Sequence, residues 1–442
     1  VSITWEFTVY DPQKNAFFPY GGYYDFTDRL QGFDVKQMAH PGRQGTGEAI
    51  LRLTNFDGAL TPNGSGTYAG VDWASCLFLL AMNTTSDYHE VFAGVLADFV
   101  FTDDGVISYV DLVLDDPWAI VGRSITEQGE VTSSSQYLKI HEAISSVANS
   151  GTSFNNYANG VRFPNVDKVL GIGQVVDLST TEATLFYTNN EAEGNIGERI
   201  RNGILPASAA VFWPGSYKFR SIYVDYDSYC VGEGLSADTR EHTLTETLTG
   251  AAGEAVLDTL QTGHNLPEMI NKISVTVGSV TGVTPATYNA ENIQSTFTYG
   301  TRAGTWGNHL QPRSKRATRD AAGNDVVNLD PYLEALTERF ANYRFTALTA
   351  STKQSQNTTA NAETEFGYLC DIRYGIWAPC SVKYTPTGAA SQITDVTVIT
   401  RRRLRGTPSD VTLEMELLPA IDYQSLVLNS DMLGTLDYNR LG

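Results

Sequence analysis

The segment Val411-Thr412-Leu413-Glu414-Met415-Glu416-Leu417 alternates apolar and polar residues without a break. Only an extended strand satisfies a period of two, laying one face on a core and the other in solvent, because successive side chains leave the backbone on opposite sides. The pattern recurs. In Glu48 to Asn55, Ala49, Leu51 and Leu53 share one face while Arg52 and Thr54 share the other, and Asn55-Phe56-Asp57-Gly58 then turns the chain. Tyr88 to Phe101 runs into Asp103-Asp104-Gly105, a strong hairpin signal, and returns as Val106 to Leu114 with Val110, Leu112 and Leu114 on one side. Ile393 to Arg401 precedes the final strand and is joined to it by Arg405 to Asp410. The expected fold class is mainly β, with a few short helices.

A chain of 442 residues exceeds one ordinary core, so two to four domains are expected. Residues 1–125 read as an N-terminal β-barrel or sandwich, 126–340 as a mixed α+β middle, 341–430 as a C-terminal all-β barrel, and 431–442 as a docking tail. In the middle, apolar residues at helical spacing suggest helices over Tyr137–Ala148, Ile196–Ile204 and Tyr332–Phe340, the last behind Asp330 and Pro331. A hairpin is expected over Ala209–Trp213 and Tyr217–Arg220, another strand around Ile273, Val275 and Val277, and a polar linker over Gln311–Asp320. The leucines of the tail, Leu433, Leu436 and Leu441, are too sparse for a core of their own and suit a subunit interface.

Composition narrows the functional classes. With 42% hydrophobic and 18% charged residues the chain is too apolar for global disorder. A net charge of −20 repels nucleic-acid phosphates and acidic membrane surfaces at long range, which argues against a sequence-specific DNA binder. The N-terminal residues show no basic region followed by an apolar run, and no stretch approaches the roughly 20 apolar residues of a membrane span, so a soluble protein without membrane insertion is expected. Cys76, Cys230, Cys370 and Cys380 are too few and too scattered for a disulfide scaffold or a metal knuckle. Reduced thiols are the expectation, with a Cys370–Cys380 bridge as the alternative.

Signatures of chemistry are weak. Gly42-Arg43-Gln44-Gly45-Thr46-Gly47 precedes a strand instead of leading from one into a helix, so a glycine turn is favoured over a phosphate cradle. The six histidines, at 40, 89, 141, 242, 264 and 309, form no close ligand pair. Asp103-Asp104, Asp115-Asp116 and Asp225-Tyr226-Asp227 lack calcium-loop spacing and read as turns or solvated edges. No nucleophile elbow occurs, and nothing selects a catalytic pair among fifty acidic residues. The expectation is a non-enzymatic protein without cofactor, metal or catalytic residues. In Arg401-Arg402-Arg403-Leu404-Arg405, alternation sends neighbouring arginines to opposite faces, which favours salt bridges over one continuous phosphate track.

Several of these motifs, taken in order, resemble the minor tail proteins that form the hub beneath the tail tube of long-tailed siphophages. The resemblance rests on Gly42 to Gly58 with Thr61-Pro62, on Val91-Phe92-Ala93-Gly94-Val95, and on the helix and hairpin from Ile196 to Arg220. Ile270 to Val275 followed by Ser295 to Gly300, and the ending Leu433 to Asp437 with Leu441-Gly442, complete it. It implies a homotrimeric baseplate hub at the virion tail tip, assembled in the host cytoplasm, in which first and last barrels alternate around a ring that adapts six-fold tube symmetry to three-fold. The implied partners are distal tail, tail tube, tape measure and fibre proteins, with phage DNA passing unbound through the lumen. The middle region is Ser- and Tyr-rich around Ser228 to Gly253, which departs from the family pattern. Two rival readings are a glycan-binding receptor protein using Trp213, Tyr217, Tyr223, Tyr226 and Tyr229, and a tail-carried cell-wall hydrolase.

Overall fold

The computed structural model describes residues 3–11, 14, 22–38, 46–62, 64–116, 125–126, 171–176, 194–195, 211–215, 218–222, 241–264, 269, 271–277, 286–305, 345–376 and 378–419. The expected helices over 137–148, 196–204 and 332–340, the linker over 311–320 and the tail over 431–442 lie outside these residues.

The first seven strands are β1 (Thr4–Asp11), β2 (Gly22–Asp25), β3 (Leu30–Met38), β4 (Thr46–Thr54), β5 (Leu77–Asn83), β6 (Tyr88–Asp103) and β7 (Ser108–Asp115). Short strands follow: β8 (Ile125–Thr126) pairs with β10 (Gly194–Asn195), and β9 (Gly171–Val176) runs parallel to β12 (Lys218–Ile222), which forms the expected hairpin with β11 (Val211–Gly215). Next come β13 (His242–Thr245), β14 (Glu254–Val256) and β15 (Thr259–His264). A separate three-stranded sheet contains β16 (Lys272–Val277), β17 (Ala286–Glu291) and β18 (Ala303–Thr305), with helix α1 (Ile293–Tyr299) between the last two. The chain ends in β19 (Phe345–Lys353), helix α2 (Ala360–Cys370), β20 (Pro379–Tyr384), β21 (Ile393–Thr407) and β22 (Asp410–Pro419). The fold is mainly β.

Fourteen strands join in one sheet, and they form two sets of seven with the same spatial order. The first set reads β3-β4-β7-β6-β5-β1-β2 and the second β15-β19-β22-β21-β20-β13-β14, so β1 to β7 correspond one for one to β13, β14, β15, β19, β20, β21 and β22. Only the run of the first strand differs: β1 is antiparallel to β2 and β5, whereas β13 is parallel to β14 and β20. Each set returns on itself. In the second, Leu257 and Asp258 separate β14, paired with β13, from β15, paired with β19, so one bent strand bonds both ends of the curled sheet. In the first, β2 and β3 play the same part, and the Trp5 ring of β1 lies 4.5 Å from the Phe33 ring of β3.

Packing follows the alternation read from sequence. Ala49, Leu51 and Leu53, Val110, Leu112 and Leu114, and Val411, Leu413 and Met415 are all buried, while the residues between them reach the surface. Each of these Val, Leu and Met side chains contributes about 1.5–3 kcal/mol on burial. The turns have local causes. Asn55 accepts from Leu60 N (2.7 Å) and donates to Thr61 Oγ1 (3.0 Å), and Gly58 adopts φ +68°, a region costly for any residue with a Cβ. At the β6–β7 turn Asp104 accepts from Val106 N (2.9 Å) and Ile107 N (2.7 Å) while Gly105 takes φ +82°. The expected longer link before the last strand contracts to Pro408-Ser409, because β21 stays paired through Thr407 and β22 begins at Asp410.

The expectation of an all-β C-terminal segment is corrected by α2. Thr359 caps it, accepting from Ala362 N (3.3 Å), and seven of its eleven residues are buried, Glu363 and Glu365 among them. A helix buried on several sides and carrying buried carboxylates has no apolar stripe, so periodicity did not reveal it.

Candidate functional site

Among the described residues, paired charges and buried polar groups gather at the seam where the two seven-stranded sets meet. Here β21 pairs antiparallel with β3, from Arg401 opposite Met38 to Gly406 opposite Phe33. β21 is long enough to serve two partners on one edge: its first half pairs with β20 and its second with β3, while β22 holds the other edge. Side-chain contacts reinforce the seam. Glu363 of α2 accepts from Thr85 N (2.9 Å) and Thr85 Oγ1 (3.0 Å), and Tyr368 OH donates to Asp87 Oδ2 (3.2 Å). Trp5 Nε1 donates to Gln354 Oε1 (3.2 Å).

The arginine run Arg401 to Arg405 crosses this seam, and its members divide between two faces. Arg401 pairs with Glu416 (2.6 Å), Arg403 with Asp34 (2.5 Å) and Arg405 with Glu414 (2.6 Å), all on the outward face. The salt-bridge reading of the basic run therefore holds for these three. Arg403 hydrogen-bonds Asp34 and holds its carboxyl below the usual range. The ladder of charge continues through Lys36 with Glu48 (2.5 Å) and Arg52 with Asp111 (2.8 Å) in one direction, and Lys353 with Asp258 (3.1 Å) in the other. A groove of about 540 Å³ runs over this face, lined by Asp258, Lys353, Arg401, Arg403, Glu414 and Glu416 with Thr and Ser residues between them. Every guanidinium in it is matched to a carboxylate, so a phosphate entering the groove must displace an ion pair to gain one.

Arg402 points the other way and is buried. Its guanidinium donates to Gln37 Oε1 of β3 (2.8 Å), Leu369 O of α2 (3.1 Å) and Val91 O of β6 (3.0 Å), tying α2 to three strands drawn from the two sets. Burial lowers its pKa to about 10, so the group remains charged at neutral pH. A buried cation satisfied by three carbonyl oxygens is a positional device: no other side chain offers several fixed N–H donors at that reach. Gly375 makes room for it, since a Cβ there would lie 2.8 Å from Arg402 Nη1 and 2.1 Å from Leu369 O.

Two further buried polar groups flank α2. His242 Nδ1 bonds the Glu365 carboxylate and its Nε2 meets Tyr374 O at 2.9 Å. Asp371 is buried, which alone would raise its pKa, but two hydrogen bonds from Arg373 (2.9 and 2.6 Å) hold it below the ordinary value. His89 Nδ1 lies 3.4 Å from Asp371 Oδ2. Among the described residues no group of three or more His, Cys, Asp or Glu is placed to hold a metal ion.

The other residues singled out from sequence are distributed as follows. Cys76, Cys370 and Cys380 are buried free thiols, and burial pushes their pKa values up. Asp103 and Asp104 bond the amides of their own turn, and Asp116 Oδ2 accepts from Gly47 N. Asp225, Asp227, Tyr223, Tyr226, Tyr229, Cys230 and the interface leucines Leu433, Leu436 and Leu441 lie outside the described residues, as do the side chains of Trp213 and Tyr217. Sequence reasoning missed Arg402 as the keystone, together with Gln37, Glu363 and Asp371. The one available signal was that an arginine on the inward phase of a strand must find acceptors.

No family model matches the chain, and no curated protein matches it. Solved structures do. The prophage tail protein gp18 of Listeria monocytogenes EGD-e aligns at a TM-score of 0.46 with 10% identity, covering 96% of this chain and 98% of that one. The 43 kDa tail protein of prophage MuSo2 from Shewanella oneidensis aligns at 0.44 with 8% identity, covering 95% and 99%. The tail protein from Neisseria meningitidis MC58 aligns at a TM-score of 0.50 with 9% identity over 93% of this chain and 96% of that one, a likeness of fold across nearly the whole length of both.

Proposed function

We propose that this chain is a structural, non-enzymatic virion protein that forms the hub of a long-tailed phage tail tip. Three copies close a ring, each supplying two β modules, so that six similar modules meet a six-fold tube while the assembly itself is three-fold. One observation carries this reading: the two sets of seven strands share one spatial order and are already joined edge to edge by β21 and β3 within a single chain. A chain that places two equivalent modules side by side has made one of the joints such a ring repeats. The fold shared with a phage tail protein supports the same assignment.

Function in this reading is geometric. The hub anchors distal tail, tube, tape measure and fibre proteins around a lumen, with Leu433, Leu436 and Leu441 of the tail as a docking element. Phage DNA passes without specific binding, and the paired charges of the groove suit that, since each cation is already satisfied. The direct test is light scattering on the purified full-length chain at micromolar concentration, combined with labelling of intact particles. A mass of three chains and label at the tail tip are expected. A chain that stays monomeric as concentration rises and is absent from tails overturns the proposal.

A further inference from the structure

The correspondence between the two strand sets extends to individual residues. In the β6–β7 hairpin Val95 faces Asp115, the register breaks between Leu96 and Asp98, and Asp103 faces Ser108. In the β21–β22 hairpin Val398 faces Leu418, the register breaks between Ile399 and Arg401, and Gly406 faces Val411. On the neighbouring strands Val95 faces Leu77 of β5, as Val398 faces Pro379 of β20. The two hairpins thus carry a bulge at the same place and give up the same neighbour at the same point: β5 leaves β6 after Val95 and β20 leaves β21 after Val398.

Beyond that point the two halves of the molecule differ. The edge of β21 from Arg401 to Gly406 is taken by β3. The equivalent edge of β6, from Asp98 to Asp103, has no strand partner among the described residues. The bond from Asp104 N to Ile107 O (3.2 Å) sets the phase of the hairpin, so the backbone groups of Phe99, Phe101 and Asp103 face that open edge. β15, the counterpart of β3, likewise pairs only with β19 among the described residues, leaving its second edge open where β3 receives β21. Among the described residues, one molecule therefore presents both halves of the joint it makes internally. Exposed apolar residues gather at the open hairpin, with Val100, Val106 and Ile107 at 41%, 83% and 49% exposure.

We infer that β6 of one copy pairs antiparallel with β15 of the next, repeating between chains the β21–β3 joint found within each chain. This rests on the ring reading above and assigns the strands and register that close the ring. The register follows from the internal joint. Arg405 faces Asp34 there. Their equivalents are Thr102, which faces Tyr109 as Arg405 faces Thr412, and Gln261, which faces Thr349 as Asp34 faces Ile50. Thr102 therefore lies opposite Gln261 of the neighbouring copy, and Asp103 opposite Leu260. A heterologous contact of this kind closes when the rotation between modules is uniform, and pairing also covers two strand edges that otherwise invite aggregation.

The test is disulfide trapping in the full-length chain. Thr102 and Gln261 fall at a position equivalent to a non-hydrogen-bonded pair, where Cα atoms stand about 4.5 Å apart, within reach of a disulfide. Oxidised Thr102→Cys/Gln261→Cys protein is expected to run as covalent dimers and trimers on non-reducing gels, while each single variant does not. Asp34→Cys/Arg405→Cys provides the internal control, forming a bridge at monomer mass. If the control closes and the protein is trimeric but Thr102→Cys/Gln261→Cys gives no bridge between copies, this edge assignment is wrong and the ring reading survives. If the protein is monomeric and unbridged at every concentration, both fall. A Thr102→Cys self-bridge, or capture of a different tail protein instead of a second copy, also overturns the assignment.

Discussion

Replacing Arg402 by methionine isolates the role of the buried guanidinium, because the substitution retains most of the stem volume and removes all the donors. Three oxygens lose the Arg402 donor: Gln37 Oε1, Leu369 O and Val91 O, now bonded at 2.8, 3.1 and 3.0 Å. Leaving a buried acceptor unsatisfied costs about 1–3 kcal/mol, so three give an upper figure of about 9. Against this, removing the arginine relieves the desolvation of a buried cation, itself several kcal/mol. The balance expected is a loss of about 3–5 kcal/mol, the range typical when one partner of a buried charged network is deleted. The neighbouring Arg401→Met removes only a half-exposed pair with Glu416 and should cost under about 1 kcal/mol. Urea unfolding of both variants, followed by tryptophan fluorescence and far-ultraviolet circular dichroism, gives the comparison. Adjacent residues on one strand should differ by at least threefold in cost, and equal losses would refute the keystone argument.

Other perturbations test separate parts of the structure. Gly375→Ala should destabilise through the same site, because its Cβ would sit 2.1 Å from Leu369 O, and a thermal midpoint equal to the parent's would contradict that packing. Asp371 has a folded-state pKa below its unfolded value, so its contribution is present above pH ~4 and is lost as pH falls through the lower folded value. Thermal midpoints of Asp371→Asn between pH 7 and 3 should accordingly fall less steeply than the parent's, whereas parallel profiles would count against the Arg373 pairing. Asn55→Ala strips Leu60 N of its 2.7 Å acceptor and should cost about 1–3 kcal/mol in unfolding measurements, an effect that Asn55→Asp should partly avoid by preserving the acceptor. Cys76, Cys370 and Cys380 should resist alkylation in the native protein and react on denaturation, read by peptide mass mapping, and a Cys370–Cys380 linked peptide would contradict the free thiols.

Strand phase was legible in the sequence because the pleat converts alternation directly into inside and outside. Val411, Leu413 and Met415 are buried, and the odd-numbered arginines of 401–405 face outward. The turns at Asn55–Gly58 and Asp103–Gly105 were legible too, since their residues bond their own backbone. What alternation cannot specify is the neighbour. Strands pair through backbone groups that every residue carries, so nothing local in Arg401–Gly406 names β3 as its partner, although Arg402 and Gln37 meet 365 residues apart. Nor does it mark β13, β14 and β15 as companions of β19 to β22, because that grouping arises only when the sheet curls and its ends meet. The sequence thus determined which face of each strand is wet, whereas tertiary pairing alone decided that two modules share one order and one seam. The physical reason is that side-chain phase is written residue by residue, and hydrogen-bond partnership is written only in space.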